Sequence, residues 1–427
     1  MSRLFVHGQL PEVIFPFAGA DCTLTCRLLC KDINTVVFRY AEMMMKDVVG
    51  FEHTNPLESW RPAIDGPPPR FALHEYYIRL VLITDGAIGK LIASSTIKRL
   101  GLMICESEHA ATGNALVEAV SNYCMEATER GVEGPHLPGL VELNLNWLTP
   151  STPLLTTFVT NSPNLQRFTS SHWLSGTALG ILGRHCAKLQ RVKIPFSQGL
   201  LESSMDGFPS QCNFLEVFDV SETNGHITDT SISHVAMNCP NLRSLNVHNT
   251  YGVTDKSIEL VARNCPHLEF LDVGDTRQIT DASVTLIANF CANLQSLRLN
   301  STNLITDATL QVVAAKCKHL RELDVSQTSS FSDSGISAIG TSCTELQHLN
   351  VGGTLDISDT SITIVAANCK QLRSFSAIAT RESITEVSVA ALAANCPRLE
   401  ELCLQGNYGT IRQEVLDLLP SGCRVFQ

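Results

Sequence analysis

The amino-acid sequence predicts an α/β solenoid, in which short parallel strands alternate with helices along one repeating array. A pattern with a period of 26 or 27 residues runs through the second half of the chain, with one cysteine at the same phase of each period. Within a period, the apolar residues first follow helical spacing and then strand spacing. Fixed-period self-similarity of this length is typical of stacked repeats that contact only their neighbours. The cysteines that mark the period are Cys186, Cys212, Cys239, Cys265, Cys291, Cys317, Cys343, Cys369 and Cys396.

One repeat, residues 227–250, shows why each part is expected to take its structure. Thr228 and Asp229 predict a helix start, because a side-chain oxygen can cap free N–H groups and a carboxylate suits the positive end of the helix dipole. An apolar stripe at i, i+3 and i+7 ends at Cys239 and predicts the buried helix face, and the following proline ends the helix. The Leu-x-x-Leu-x-Val run then predicts a short strand. Thr250 closes the turn, where its hydroxyl is expected to bond the backbone of the adjacent coil.

Composition and charge narrow the function classes. The chain has 427 residues, of which 44% are hydrophobic and 17% charged, and its formal net charge is −11. This acidic balance argues against a general nucleic-acid or anionic-membrane binder, which needs a basic face. No apolar run reaches the ~18–20 residues that span a bilayer, and the N-terminus lacks the apolar core of a secretory signal. Regularly spaced cysteines on an apolar face indicate reduced thiols, and therefore a cytoplasmic or nuclear location.

The strand, the Ile-Thr-Asp helix start and the Cys-Pro helix end resemble the cysteine-containing leucine-rich repeat. The resemblance covers more than half of the chain, and it departs from the family in placing threonine at the turn after each strand. It implies a horseshoe with a parallel β-sheet on the concave face and helices on the convex face. Strands stack about 4.8 Å apart whereas helices need roughly 10 Å, so we expect the array to curve with its sheet inside.

Residues 1–50 carry a second resemblance, to an F-box, which proteins with this repeat class often contain. A Leu-Pro pair, an Ile-Phe run and a Leu-Cys-Lys run occur in the family's order, but the motif is shortened, Pro16 interrupts its first helix and Ile33 stands where Trp is common. The resemblance implies a small helical segment that docks on the Skp adaptor of a cullin-type ubiquitin ligase. The alternative is a helical cap over the apolar edge of the first repeat. The residues expected to contact the adaptor are Leu10, Pro11, Ile14, Phe15, Leu29 and Cys30.

The chain is expected to divide into four segments. These are an F-box-like helical segment at 1–50, a Pro-rich linker at 51–76, degenerate N-terminal repeats with an insertion at 77–164, and regular repeats with a C-terminal cap at 165–427. In the first segment Cys22, Cys26 and Cys30 share a predicted helix face. They lack the second ligand pair of a structural zinc site, so we interpret them as an apolar face.

Residues between the buried strand positions are expected to form a surface for a protein partner. They change from repeat to repeat whereas the buried positions do not, and they are basic early in the array and mostly acidic later. The sequence shows no nucleophile with a base, no metal ligand set and no phosphate loop, so no catalysis and no cofactor are expected. The candidate partner-binding residues are Arg191, Lys193, Asp219, Asn246, His248, Phe270, Asp272, Arg298, Asn300, Glu322, Asp324, His348 and Asn350.

These expectations favour a substrate-recognition subunit of a Skp–cullin–F-box ubiquitin ligase. The F-box-like segment would bind the Skp adaptor and thereby the cullin, and the concave or C-terminal repeats would hold a protein substrate. The alternative is a non-catalytic leucine-rich-repeat scaffold of a larger assembly. A receptor for a small ligand on the concave face is a third hypothesis, although no polar cluster in the sequence identifies a ligand.

Overall fold

The chain forms two units, Met1–Cys212 and Asn213–Gln427. The computed structural model describes residues 13–16, 23–28, 76–79, 99–103, 137–145, 152–171, 177–197, 208, 212–380, 383–406 and 411–426.

The described strands of the first unit form a sheet in chain order. The pairs β1–β2 and β2–β3 are antiparallel, and each later pair up to β6–β7 is parallel. The elements are β1 Val13–Pro16, β2 Thr23–Leu28, β3 Tyr76–Arg79, β4 Arg99–Met103, β5 Glu142–Asn144, α1 Thr152–Thr160, β6 Arg167–Thr169, α2 Ala178–His185 and β7 Arg191–Lys193.

The two antiparallel strands correct the expectation of a helical N-terminal segment. Ile14 and Phe15 lie in β1, and Cys26 lies in β2. The alternation Thr-Leu-Thr-Cys suits a strand, and Pro16 has no N–H to continue a helix. The helix prediction is therefore wrong for these residues. The linker up to residue 75 lies outside the described residues. So do the other residues expected to contact the adaptor, which are Leu10, Pro11, Leu29 and Cys30.

The second unit is a regular array in which each strand except the last is followed by a helix. Strands β8 to β16 lie side by side in chain order, all parallel; Leu271 of β10, for example, lies opposite Leu245 and Leu297. The elements are β8 Val217–Asp219, α3 Asp229–Asn238, β9 Ser244–Asn246, α4 Asp255–Asn264, β10 Phe270–Asp272, α5 Asp281–Phe290, β11 Ser296–Arg298, α6 Asp307–Lys316, β12 Glu322–Asp324, α7 Asp333–Ser342, β13 His348–Asn350, α8 Asp359–Asn368, β14 Ser374–Ser376, α9 Glu386–Asn395, β15 Glu401–Cys403, α10 Gln413–Leu416 and β16 Arg424–Phe426.

The core of the second unit lies between its sheet and its helices. Leu271, the central residue of β10, is fully buried, as are Ile258, Val261 and Cys265 of the preceding helical stripe. Burial of one such aliphatic side chain contributes about 1.5–3 kcal/mol. The Thr254 side chain caps α4 by accepting from the Lys256 backbone N–H. The predicted helix start, inward stripe and strand position are confirmed in this repeat.

The turn after each of the strands β8 to β15 contains at least one residue in the left-handed region. Asp275, for example, has φ 54° and precedes the buried Thr276. The threonine hydroxyl donates to the carbonyl three residues earlier, as Thr328 does to Val325 at 2.5 Å. The hydroxyl thus satisfies the turn of its own repeat, whereas the sequence suggested the adjacent coil.

Candidate interaction face

One side of the second unit's sheet faces away from its helices, and we call it the open face. It comprises the first and third residues of β8 to β15 and the residue two positions after each strand. The central residue of each strand is buried, and its two neighbours point to the opposite side of the sheet because side chains alternate along a strand. The parallel register aligns equivalent positions in rows, so Phe270 lies beside Ser296, and Asp272 beside Arg298.

The third residue of each strand lines the open face, and in five of the strands its side chain also bonds the turn that ends the strand. The Asp272 Oδ1 atom accepts from the backbone N–H of Gly274 at 3.0 Å, and Asn246 Oδ1 accepts from that of His248 at 3.0 Å. Asp219, Asp324 and Asn350 each accept in the same way from the residue two positions on. This i→i+2 bond is the Asx turn. Five candidate partner-binding residues therefore have a structural role in these turns. The sequence signal for this role is the recurring Asp or Asn two positions before Ser, His or Gly.

The middle of the open face is a connected cluster around Arg298. Its guanidinium lies over the Phe270 ring, 5.4 Å from the ring centre. The Arg298 Nε and Nη2 atoms donate to Glu322 Oε1 at 2.8 and 2.6 Å, and Nη1 lies 3.8 Å from Asp272 Oδ2. Ser296 donates to the second oxygen of Glu322 at 2.9 Å. An arginine held over an aromatic ring is a pre-ordered group of the kind enriched at the energetic centres of protein interfaces.

A second cluster surrounds His248 beside the first. The His248 Nε2 atom lies 3.5 Å from both Glu222 Oε1 and Asp275 Oδ2, and Nδ1 lies 3.6 Å from Asp272 Oδ1. These distances are Coulomb contacts, longer than hydrogen bonds. Asp272 raises the pKa of His248 against the opposing effect of burial, and Asp275 and Glu222 raise it further.

The structure brings some of the sequence-predicted residues together and separates others. His248, Phe270, Asp272, Arg298 and Glu322 lie in the two adjoining clusters. Asn300 reaches them through Asp275, to which its Nδ2 atom donates at 3.4 Å, and Asn350 donates to Asp324 at 3.1 Å. His348 lies exposed on β13, and Arg191 and Lys193 lie exposed on β7 of the first unit.

Glu222 and Asp275 belong to the His248 cluster but were missed by the sequence-based prediction. Both occupy the left-handed position of a turn, just before the buried threonine. That position lies outside the strand alternation on which the prediction relied. The sequence signal that could have found them is the variable residue that precedes each of these threonines.

No group of three or more His, Cys, Asp or Glu side chains in the described ranges has a geometry that could hold a metal ion. Within the same ranges, none of the helices combines the length and the apolar character that crossing a bilayer requires.

Comparison with known proteins gives one family match and several similar folds. A family model described as "Leucine Rich repeat" matches residues 264–288 and 316–340. The crystal structure of the Rad7 and Elc1 complex in yeast contains a similar chain, with a TM-score of 0.58, 16% identity, and coverage of 74% of this chain and 78% of that one. The internalin InlF of Listeria monocytogenes is similar with a TM-score of 0.51, 19% identity, and coverage of 91% and 94%. A search among curated proteins gives no significant match. The repeating strands and helices, together with these matches, show that the chain has the α/β fold of a leucine-rich-repeat solenoid.

Proposed function

We propose that this chain is a non-catalytic binding subunit that holds a partner protein on the open face of its second unit. The observation that carries the proposal is the cluster of Phe270, Arg298 and Glu322 in the middle of that face. The aromatic ring and the guanidinium are held by neighbouring strands before any partner arrives, so little side-chain entropy is lost on binding. The residues around the cluster differ between repeats, which suits recognition of one particular surface.

The repeat array offers a matched control for this proposal. Arg263 lies 5.9 Å from the ring centre of Phe290, and both residues lie on helices, away from the open face. We expect Phe270→Ala with Arg298→Ala to reduce recovery of the partner about tenfold or more in affinity purification with mass spectrometry. The control pair, Arg263→Ala with Phe290→Ala, should leave recovery unchanged. Circular dichroism melting of both variants checks folding, and Arg298→Glu provides a second open-face variant. Equal recovery with all these variants would exclude the open face as the binding surface.

We further propose that the bound protein is the substrate of a Skp–cullin–F-box ubiquitin ligase. The support is the F-box resemblance of Leu10, Pro11, Leu29 and Cys30, and the fact that a chain of similar fold was crystallised in the complex of Rad7 and Elc1. Ile14 and Phe15 lie in β1, so adaptor binding would differ from the family's helical pattern. The alternative is a scaffold in which residues 1–50 only cap the first repeat, with the first unit's basic Arg191 and Lys193 available to the same assembly.

Co-purification separates the ligase from the scaffold. The tagged wild-type chain should bring down the Skp adaptor and a cullin, and Leu10→Ala with Pro11→Ala should abolish both while the open-face partner is retained. If the wild-type chain recovers a partner but neither ligase subunit, the scaffold proposal stands and the ligase proposal is rejected. In that case charge reversal at Asp324 or Arg298 should disrupt one stoichiometric complex without changing the ubiquitination of its members.

A further inference from the structure

We propose that His248 is a pH-operated clamp that joins three successive turns of the open face when its ring is protonated. The turns follow β8, β9 and β10, and they carry Glu222, His248 and Asp275. The His248 Nε2 atom lies 3.5 Å from a carboxylate oxygen of each flanking turn. On the other side of the ring, Nδ1 lies 3.6 Å from Asp272 Oδ1. The inference concerns the order of these turns and does not depend on what the open face binds.

The arrangement of acceptors around the ring favours the imidazolium form. Both ring nitrogens face carboxylate oxygens, whereas a neutral imidazole carries only one N–H. In the neutral ring, one nitrogen lone pair would therefore face a carboxylate. The buried Nδ1 atom makes no hydrogen bond among the described residues. Its Coulomb contact with the Asp272 carboxylate is therefore not offset by a hydrogen bond to a neutral group.

The other charged and polar groups beside the ring do not substitute for its charge. Arg298 is a cation of the same cluster, but it lies 3.8 Å from Asp272 and donates two shorter bonds to Glu322. Asn249 donates to Glu222, and Asn300 donates to Asp275, and both amides are neutral. When His248 loses its proton, the carboxylates of Glu222, Asp272 and Asp275 remain close together. The guanidinium of Arg298, which also pairs with Glu322, then offsets only part of their negative charge.

The backbone holds the ring and the carboxylates in place. Asn246 accepts from the His248 N–H, and Asp272 accepts from the Gly274 N–H. A methyl group at Gly274 would collide with the His248 ring and the Asn300 amide, so a larger residue there would displace these side chains. The turns are linked by bonds from the Glu222 N–H to the His248 carbonyl and from the Asn249 N–H to the Gly274 carbonyl, at 2.8 and 2.9 Å. These two bonds are the ones that the clamp would protect.

The direction of the pH dependence follows from the raised pKa of His248, for which Asp272 is the main cause. A histidine whose pKa is higher in the folded state stabilises that state fully below its unfolded value, about 6.5. The contribution is lost as the pH rises through the higher folded value. The three turns should therefore be ordered at mildly acidic pH and loosen as the medium becomes alkaline.

The test combines a histidine titration by NMR with amide hydrogen exchange at Glu222 and Asn249. In the full chain, we expect the His248 ring to titrate above about 6.5, and the protection factors of both amides, corrected for intrinsic exchange, to fall roughly threefold or more between about pH 6 and 9. His248→Gln should remove this dependence. His348→Gln is the matched control, because His348 is exposed on the same face and forms no ion pair among the described residues.

A second variant keeps the proposal testable if His248→Gln disturbs the turns. Asp275→Asn retains the side-chain shape and should lower the titration midpoint of His248 while the chain stays folded. The clamp is rejected if His248 titrates at or below about 6.5, or if the pH dependence of the two amides is the same in wild type and His248→Gln.

Discussion

At the residue scale, the repeated cysteine joins neighbouring repeats through its thiol. Cys291 Sγ donates to the Cys265 carbonyl at 3.5 Å, and Cys369 Sγ donates to the Cys343 carbonyl at the same distance. The sequence predicted only a small buried apolar group, because spacing alone does not show an acceptor. The cysteines at this position in the described repeats are buried, as predicted. Burial raises the pKa of Cys291 to about 12, and a thiol in that state is a poor nucleophile.

The cysteines should therefore differ sharply in their reaction with iodoacetamide. Cys291 and Cys369 should stay unmodified at about pH 8 in the folded chain, whereas Cys403 and Cys423, which are partly exposed, should be alkylated well before them. Peptide mapping by mass spectrometry at successive times measures the order. Alkylation in urea, where all these thiols should react alike, is the control. Early labelling of Cys291 under native conditions would contradict the burial of the repeated cysteines.

At the element scale, the starts of α4 to α10 are each coupled to the helix before them. Thr280 caps α5 by accepting from the Ala282 N–H at 3.2 Å. Its own hydroxyl and backbone N–H donate to the two Asp255 oxygens at 2.6 and 2.9 Å. Asp255, at the start of α4, also accepts from Ser283. The Ile-Thr-Asp motif thus serves two repeats, since its threonine caps one helix and its aspartate receives the next threonine.

A double-mutant cycle should measure this coupling. Thr280→Ala removes a cap and should destabilise the chain by about 1–2 kcal/mol. Asp255→Asn removes a charged acceptor and should cost about 1–3 kcal/mol, nearer the lower limit because the carboxylate is part-buried. The two effects should be non-additive by roughly 0.5–3 kcal/mol in urea unfolding. Asp255→Asn combined with Thr306→Ala, whose hydroxyl bonds Asp281 instead, should be additive. A fully additive first cycle would show that the bond contributes nothing.

At the scale of the whole second unit, the aspartates at the first position of α3 to α8 form a line that runs from repeat to repeat. Burial alone would raise the pKa of Asp229, but hydrogen bonds from Thr254 and Ser257 outweigh it and hold that pKa below its ordinary value. Asp281 and Asp333 have lowered pKa values for the same reason. A carboxyl group with a lowered folded pKa stabilises the fold above its unfolded value, about 3.9. That contribution disappears as the pH falls through the lower folded value.

Acid should therefore weaken the array, and the line of aspartates should account for part of the loss. Urea unfolding at about pH 7 and about pH 3 should show lower stability in acid. A variant with Asp229→Asn, Asp281→Asn and Asp333→Asn should be less stable at neutral pH and lose less on acidification. Asp356→Asn, which changes an exposed aspartate between repeats, should behave like wild type. An unchanged pH dependence in the triple variant would assign the acid effect to other groups.

The repeating architecture of the second unit could be predicted from the sequence alone. Leu271, Val261 and Cys265 could be assigned to the core from spacing, because their positions are apolar in every repeat and the period is fixed by helix and strand geometry. The prediction was wrong at Ile14 and Phe15, where family resemblance, and not spacing, suggested a helix and the structure has a strand. In that segment no period was available to check the local pattern.

The folded structure was needed to show which surface residues meet. His248, Glu222 and Asp275 come from three repeats, and their side chains converge because left-handed turns carry two of them beyond the strand ends. Asp272 could be predicted to lie on the open face, but not to accept from Gly274 and face His248 with the same carboxylate. Strand alternation fixes the side of a sheet on which a residue lies. The contacts it makes there depend on turn geometry and on the register of neighbouring repeats, which the packed array sets.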